Sequence, residues 1–148
     1  MANSFTSVNI HFVFSTKNRE KLIQDHFKSR LWAYMGGVAK NNKMVPLAIG
    51  GTKDHIHMLI SLCPVISPSK AMQLIKANSS RWINEEFPTK ARFTWQEGYY
   101  GFSVSPRHIQ NVINYINGQE EHHRIRSFEA EYLEFLKVSG IEFDEKNL

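Results

Sequence analysis

Cysteine is nearly absent from this 148-residue chain. Cys63 stands alone, so no internal disulfide can form and no cysteine cage for zinc can be assembled. Long apolar runs are missing too, and no stretch approaches the roughly 20 residues needed to cross a bilayer as a helix. Met1-Ala2-Asn3-Ser4-Phe5 has no basic region followed by an apolar one, the pattern of a secretory leader. No segment repeats at a fixed period, and none collapses into a few residue types. These absences leave a soluble, cytoplasmic protein as the expectation. The length suits one hydrophobic core and is short for two, so residues 1–148 are expected to form one domain.

What the chain has is a lopsided charge. Residues 1–126 hold 16 Lys or Arg against 8 Asp or Glu, and residues 127–148 hold 2 against 6. A basic body with an acidic helix and tail from about residue 127 favours a polyanionic partner such as nucleic acid, because each neutralised phosphate releases counterions. Charge alone is a weak pointer, since many enzymes are this basic.

Periodicity supplies the elements. From Ser7 to Ser15, Val8, Ile10, Phe12 and Phe14 alternate with Asn9, His11, Val13 and Ser15, which predicts a half-buried strand. Ile23, Phe27, Leu31 and Val38 recur at helical spacing between about Arg19 and Lys40. Met44 to Ile49 and His55 to Leu62 are predicted strands, joined as a hairpin by Gly50-Gly51-Thr52-Lys53-Asp54. Ser67-Pro68 opens a helix that reaches about Phe87, before Pro88. Short strands are expected at Arg92–Glu97 and Tyr99–Ser105, then a helix from Pro106 to His123 and another from about Ser127 to Val138. The order predicts an α+β fold, a mainly antiparallel sheet covered by helices.

Two places carry chemistry. In the strand His55 to Leu62, His55 and His57 project from one face and Ile56, Met58 and Ile60 from the other. Side-by-side imidazoles can share one divalent cation, although a His-x-His pair also arises by chance. Asp54 can orient a ligand from behind, or simply serve the turn. On the helix from Pro106, Tyr115 and Gln119 are four residues apart, one above the other, beside the buried stripe of Ile109, Val112, Ile113 and Ile116. A tyrosine there is commonly a boundary residue. As a nucleophile on a phosphodiester it would form a covalent intermediate that preserves the bond energy for rejoining. Phenols, with pKa values near 10, need help at neutral pH, and a neighbouring metal gives it. Gln119 can add a neutral oxygen to a metal held by His55 and His57, a set that suits magnesium or manganese.

These residues resemble a known family. Lys53-Asp54-His55-Ile56-His57-Met58-Leu59-Ile60 is similar to the histidine-hydrophobic-histidine (HUH) strand of the single-tyrosine HUH transposases. The segment from Val112 through Tyr115 and Gln119 to His123 is similar to their catalytic helix. The REP-associated tyrosine transposases are a related branch. The likeness extends to Ile10-His11-Phe12-Val13-Phe14-Ser15-Thr16-Lys17, to Trp95-Gln96-Glu97-Gly98-Tyr99 and to Phe102-Ser103-Val104-Ser105. Gly118 departs from the pattern, where asparagine commonly precedes the glutamine, and it would loosen the helix there. The resemblance implies a ferredoxin-like or RRM-like sheet and a homodimer joined edge to edge, with the histidine pair of one subunit meeting the tyrosine helix of the other. It implies recognition of hairpins in single-stranded DNA, cleavage to a 5′-phosphotyrosine and a free 3′-hydroxyl, and no nucleotide cofactor.

For DNA the sequence offers Lys17, Arg19, Lys70, Lys76, Arg81, Lys90 and Arg92 as phosphate contacts. Trp82, Trp95, Tyr99 and Tyr100 are candidate stacking surfaces, with Trp82 also suited to a core. Two other readings compete: a domesticated relative that grips a DNA or RNA hairpin without cutting, and a hydrolase using metal-bound water with His108 or Glu97 as base.

Overall fold

Alternation in the first strand, β1 (Val8–Ser15), sends Ile10, Phe12 and Phe14 into the main core. The structure, a computed structural model, describes residues 4–88, 92–119 and 128–141. After β1 come α1 (Asp25–Asn41), β2 (Val45–Gly51), β3 (His55–Leu62), α2 (Pro68–Glu86), β4 (Tyr100–Ser103), α3 (Ile109–Asn117) and α4 (Phe128–Val138). The sheet order is β2-β3-β1-β4, with every neighbouring pair antiparallel. The run β1-α1-β2-β3-α2-β4 in that order is the ferredoxin-like arrangement, as expected.

Helices α1 and α2 cover one face of the sheet. Phe27, Leu31 and Met35 from α1 and Met72, Ile75 and Ile83 from α2 pack on Phe12, Phe14, Ile56, Met58 and Ile60. Each such side chain contributes roughly 1.5–3 kcal/mol on burial. The Ser67 hydroxyl accepts from the Lys70 backbone N–H at 3.1 Å, and Pro68 takes the first helical position, so α2 starts where its cap signal falls.

Four expectations change. β1 is buried on both faces, because α3 and α4 cover the side carrying His11, Val13 and Ser15. The helix expected from Arg19 starts at Asp25: Asn18 and Arg19 take φ of 56° and 55°, which turns the chain at Lys17–Arg19 instead. Residues 92–97 make only a single bridge, Trp95 to Thr16, flanked by Lys17 N–H to Thr94 O and Gln96 N–H to Ser15 O, each at 2.9 Å, and before it the backbone of Phe93 is served by Asn84. Its side chain donates to the Phe93 carbonyl at 3.0 Å and accepts the Phe93 N–H at 2.8 Å, sinking Phe93 and Trp95 into the core. Finally, α3 stops at Asn117 and Gly118 caps it, its N–H donating to Asn114 O at 3.1 Å. The rest of that predicted helix, residues 120–123, lies outside the described residues.

Among the described residues no helix is long and apolar enough to cross a membrane.

A close approach fixes α3 on β2. A Cβ at Gly50 would lie 2.5 Å from the Ile116 carbonyl oxygen, backbone against backbone with no side chain to yield. Gly50→Ala is therefore expected to lift α3 and cost about 1–3 kcal/mol of stability. Chemical denaturation measures this, and an unchanged midpoint would show that the contact relaxes freely.

Candidate metal and nucleophile site

The site grows from the polar face of β3. His55 and His57 point away from the main core, and both are fully buried, with ring centroids 5.3 Å apart. The hairpin turn prepares the first of them. Asp54 Oδ1 lies 2.8 Å from His55 Nδ1, and Thr52 Oγ1 lies 2.9 Å from the same nitrogen and donates to Asp54 at 3.0 Å. Burial works against the Asp54 carboxylate, but the bonds from His55 and Thr52 outweigh it and hold the group below the usual aspartate value. An ionised Asp54 accepts the proton on His55 Nδ1, so a neutral ring turns the lone pair of Nε2 inward.

His57 is oriented from β1. The register sets Val13 opposite His57, and His11 Nε2 reaches His57 Nδ1 at 2.8 Å. Burial first, and the neighbouring His57 second, push His11 down to about 3. Neutral His11 can accept from His57 Nδ1–H, which turns the lone pair of His57 Nε2 inward, away from β1.

Helix α3 lays Ile116 on Ala48 and Leu59, and this seats the helix over the histidine face. Tyr115 follows with its ring centroid 5.7 Å from that of His57 and 6.2 Å from that of His11. Gln119, also buried, places Oε1 3.2 Å from His55 Nε2, while its Nε2 donates to Tyr115 O at 3.4 Å. A lone pair on imidazole then faces a lone pair on amide oxygen, an arrangement that a cation between them relieves. The donor chemistry thus fits a divalent metal.

From α4 comes Glu131, 2% exposed. Its Oε1 lies 2.9 Å from His57 Nε2, and the Tyr115 hydroxyl donates to its Oε2. One ligand atom from each of His55, His57 and Glu131 can be chosen so that all lie within 4.8 Å of one another, a cluster able to hold a metal ion. A cleft of about 380 Å³ opens beside it, lined in part by His11, His108, Asn111, Tyr115, Glu131 and Phe135.

The sequence model for the family described as "Transposase IS200 like" matches residues 4–119. The chain belongs to this family. Over 126 residues it is 25% identical to the transposases for insertion sequence element IS200 of Salmonella typhimurium and Salmonella typhi, covering 82% of this chain and of each relative. Among solved structures it is similar to a putative transposase from Deinococcus radiodurans, with TM-score 0.65 and 20% identity over 80% of this chain and 95% of that one. It is also similar to a REP-associated tyrosine transposase bound to a REP hairpin, with TM-score 0.62 and 14% identity over 83% of this chain and 73% of that one.

In this IS200-like chain His55, His57, Tyr115 and Gln119 come together. The described basic candidates lie on different elements. Lys17 and Arg19 sit in the turn after β1 that follows Thr16, whose N–H donates to the Asp54 carbonyl at 2.8 Å. Lys70, Lys76 and Arg81 lie on α2, which covers the opposite face of the sheet. Lys76 donates to the carbonyls of Gln96 and Gly98 at 2.7 and 2.6 Å, bracing the turn before β4. Burial lowers its pKa. Arg92 is exposed, and Lys90 lies outside the described residues. Trp95 is a core residue rather than a stacking surface, its indole donating to Ser79 Oγ at 2.9 Å. Trp82 is half-buried and stacks on Tyr34, rings 4.8 Å apart.

Two residues of the cluster escaped the sequence reading. His11 shares its strand face with Val13 and Ser15, and only the β1–β3 register reveals that it meets His57. Glu131 stands four residues before Phe135, on the inward stripe of an amphipathic helix, and a carboxylate on such a stripe is the signal that marks it.

Acid should destabilise the protein through His11. Its pKa is near 3 when folded and about 6.5 when exposed, so below pH 6.5 the unfolded chain takes up a proton that the folded one refuses. Stability then falls as pH drops from about 6.5 toward 3, by roughly 2 kcal/mol at pH 5. Denaturation of the metal-free protein at pH 7 and pH 5 should show this loss, diminished in His11→Gln. Equal losses in the two proteins would remove His11 as the source.

Proposed function

We propose that this IS200-like chain cuts and rejoins single-stranded DNA, with Tyr115 as the nucleophile and a magnesium or manganese ion held by His55, His57 and Gln119. The observation that carries this reading is the convergence of a phenol and three metal-type donors at one buried point. Hairpin recognition draws support from the solved relative bound to a REP hairpin.

Tyr115 Oη attacks phosphorus, the Oη–P bond forms as the P–O3′ bond breaks, the phosphate stays with the 5′ end, and the phenol gives up its proton while the departing 3′ oxygen gains one and leaves as a hydroxyl. That hydroxyl, or another like it, reverses the step on a new partner. When bound, the cation polarises the phosphate oxygens and offsets the charge that develops at phosphorus. The chain itself aims the groups. Asp54 and Thr52 hold His55, His11 holds His57, and the seat of Ile116 on the sheet holds Tyr115. Lys17 and Arg19, in the turn whose preceding residue Thr16 bonds the Asp54 carbonyl, are the proposed contacts for phosphates near the cut. Lys70, Lys76, Arg81, Lys90 and Arg92 are left for more distant phosphates. Each subunit of the proposed homodimer carries a complete site.

Incubation with hairpin-bearing single-stranded DNA and manganese should give a denaturation-resistant protein–DNA adduct. Tyr115→Phe should lower its yield on the order of 10³-fold or more. A wild-type yield from Tyr115→Phe would sink the assignment and favour metal-bound water as the nucleophile.

The single-chain site makes a second prediction. Mixed dimers of Tyr115→Phe and His57→Ala subunits should recover no cleavage, because neither chain holds a complete set. Recovery in demonstrably mixed dimers would show instead that the tyrosine helix is exchanged between subunits.

A further inference from the structure

We infer that Glu131 is a fourth protein ligand of the metal, supplied by α4 and additional to His55, His57 and Gln119. The inference rests on the metal reading proposed above and deepens it. Three observations carry it.

The first is spacing. Ligands adjacent in an octahedral shell of radius about 2.1 Å sit about 3.0 Å apart. Glu131 Oε1 stands 2.9 Å from His57 Nε2, and Gln119 Oε1 stands 3.2 Å from His55 Nε2. Each histidine thus has an oxygen at the separation of a neighbouring ligand. The α4 carboxylate occupies such a place as well as the α3 amide does.

The second is the way the carboxylate is delivered. Glu131 is 2% exposed, and carboxylates are almost never buried this far unless paired or coordinating. Its helix is anchored at this place. Phe135 stacks on Phe102 with ring centroids 5.3 Å apart and meets the rings of His11 and Tyr115 at 5.2 and 5.5 Å. Leu136 is buried against Val13 and Phe102. The apolar contacts fix α4, and α4 fixes the carboxylate.

The third is that Glu131 faces both partners of the proposed reaction. One oxygen lies on the metal-binding nitrogen of His57, and the other accepts from the Tyr115 hydroxyl. As a ligand through Oε1 it would keep Tyr115 beside the metal through Oε2. Four protein donors leave two positions of six for phosphate oxygen and water. The family match ends at residue 119, so this donor lies outside the matched segment.

The test is manganese binding by the whole DNA-free protein, followed by the loss of the free-ion electron paramagnetic resonance signal. Glu131→Gln keeps the shape of the side chain and removes the charge, and it should weaken binding at least 10-fold. Glu134→Gln, an exposed neighbour on the same helix, should change it less than twofold. Far-UV circular dichroism and the denaturation midpoint show whether α4 remains docked. If Glu131→Gln undocks it, Glu131→Asp supplies the readout: a carboxylate drawn back by one methylene should still cost several-fold in affinity. Wild-type affinity in a folded Glu131→Gln or Glu131→Asp protein would overturn the inference. So would an equal loss in Glu134→Gln, which would mark a general charge effect. His57→Ala separates the two readings. If it binds manganese like the wild type, the metal reading itself fails. If it loses binding while Glu131→Gln retains it, only the role of Glu131 fails.

Discussion

The pairing of β1 with β3 is the constraint on which the site depends. In its antiparallel register Val13 faces His57 and Ser15 faces His55, and this brings the His11 imidazole within 2.8 Å of His57. The side-chain period of a strand is two, so a slip of one residue would turn Phe12 and Phe14 to the histidine face and His11 into the apolar core. The large aromatic side chains on the core face therefore hold the polar face in register. Stability and chemistry share one set of backbone hydrogen bonds.

A sheet with histidines on one face has a problem that the ferredoxin-like core does not solve. Helices α1 and α2 cover the apolar side and leave the imidazoles open to water. Covering them with α3 and α4 removes that water, so every buried nitrogen has to find a protein partner or a cation. Asp54 and Thr52 serve His55 Nδ1, and His11 serves His57 Nδ1. The two Nε2 atoms remain, turned toward Gln119 and Glu131. Burial makes the proposed metal site directional, because each ring has one nitrogen turned outward and one inward.

The two covering helices are held differently. α3 meets β2 through Gly50, where only a glycine lets the Ile116 carbonyl approach, and it ends at Gly118. Gly118 interrupts the helix after Asn117, yet Gln119 still reaches His55. The break at Gly118 thus leaves the amide in the cluster. α4 has no comparable backbone contact in the described residues and is seated by Phe135 and Leu136 against Phe102 and Val13.

Local physics in the sequence determined much of this protein. Alternation defined β1 and β3, the Ser67-Pro68 cap defined the start of α2, and the pair spacings of His55 with His57 and Tyr115 with Gln119 picked out residues that the fold brings together. Such signals depend on neighbours within a few residues, and a strand or helix repeats its faces whatever it packs against. Tertiary structure alone decided the rest. Phe93 and Trp95 became core plugs because Asn84, nine residues before Phe93, satisfied the backbone there. His11 and Glu131 joined the cluster because strand register and helix docking carried them across 46 and 74 residues of chain to His57. No local periodicity encodes that separation. It follows from how apolar faces pack, and the seat of Ile116 on Ala48 and Leu59 brings Tyr115 to the histidine pair for the same reason.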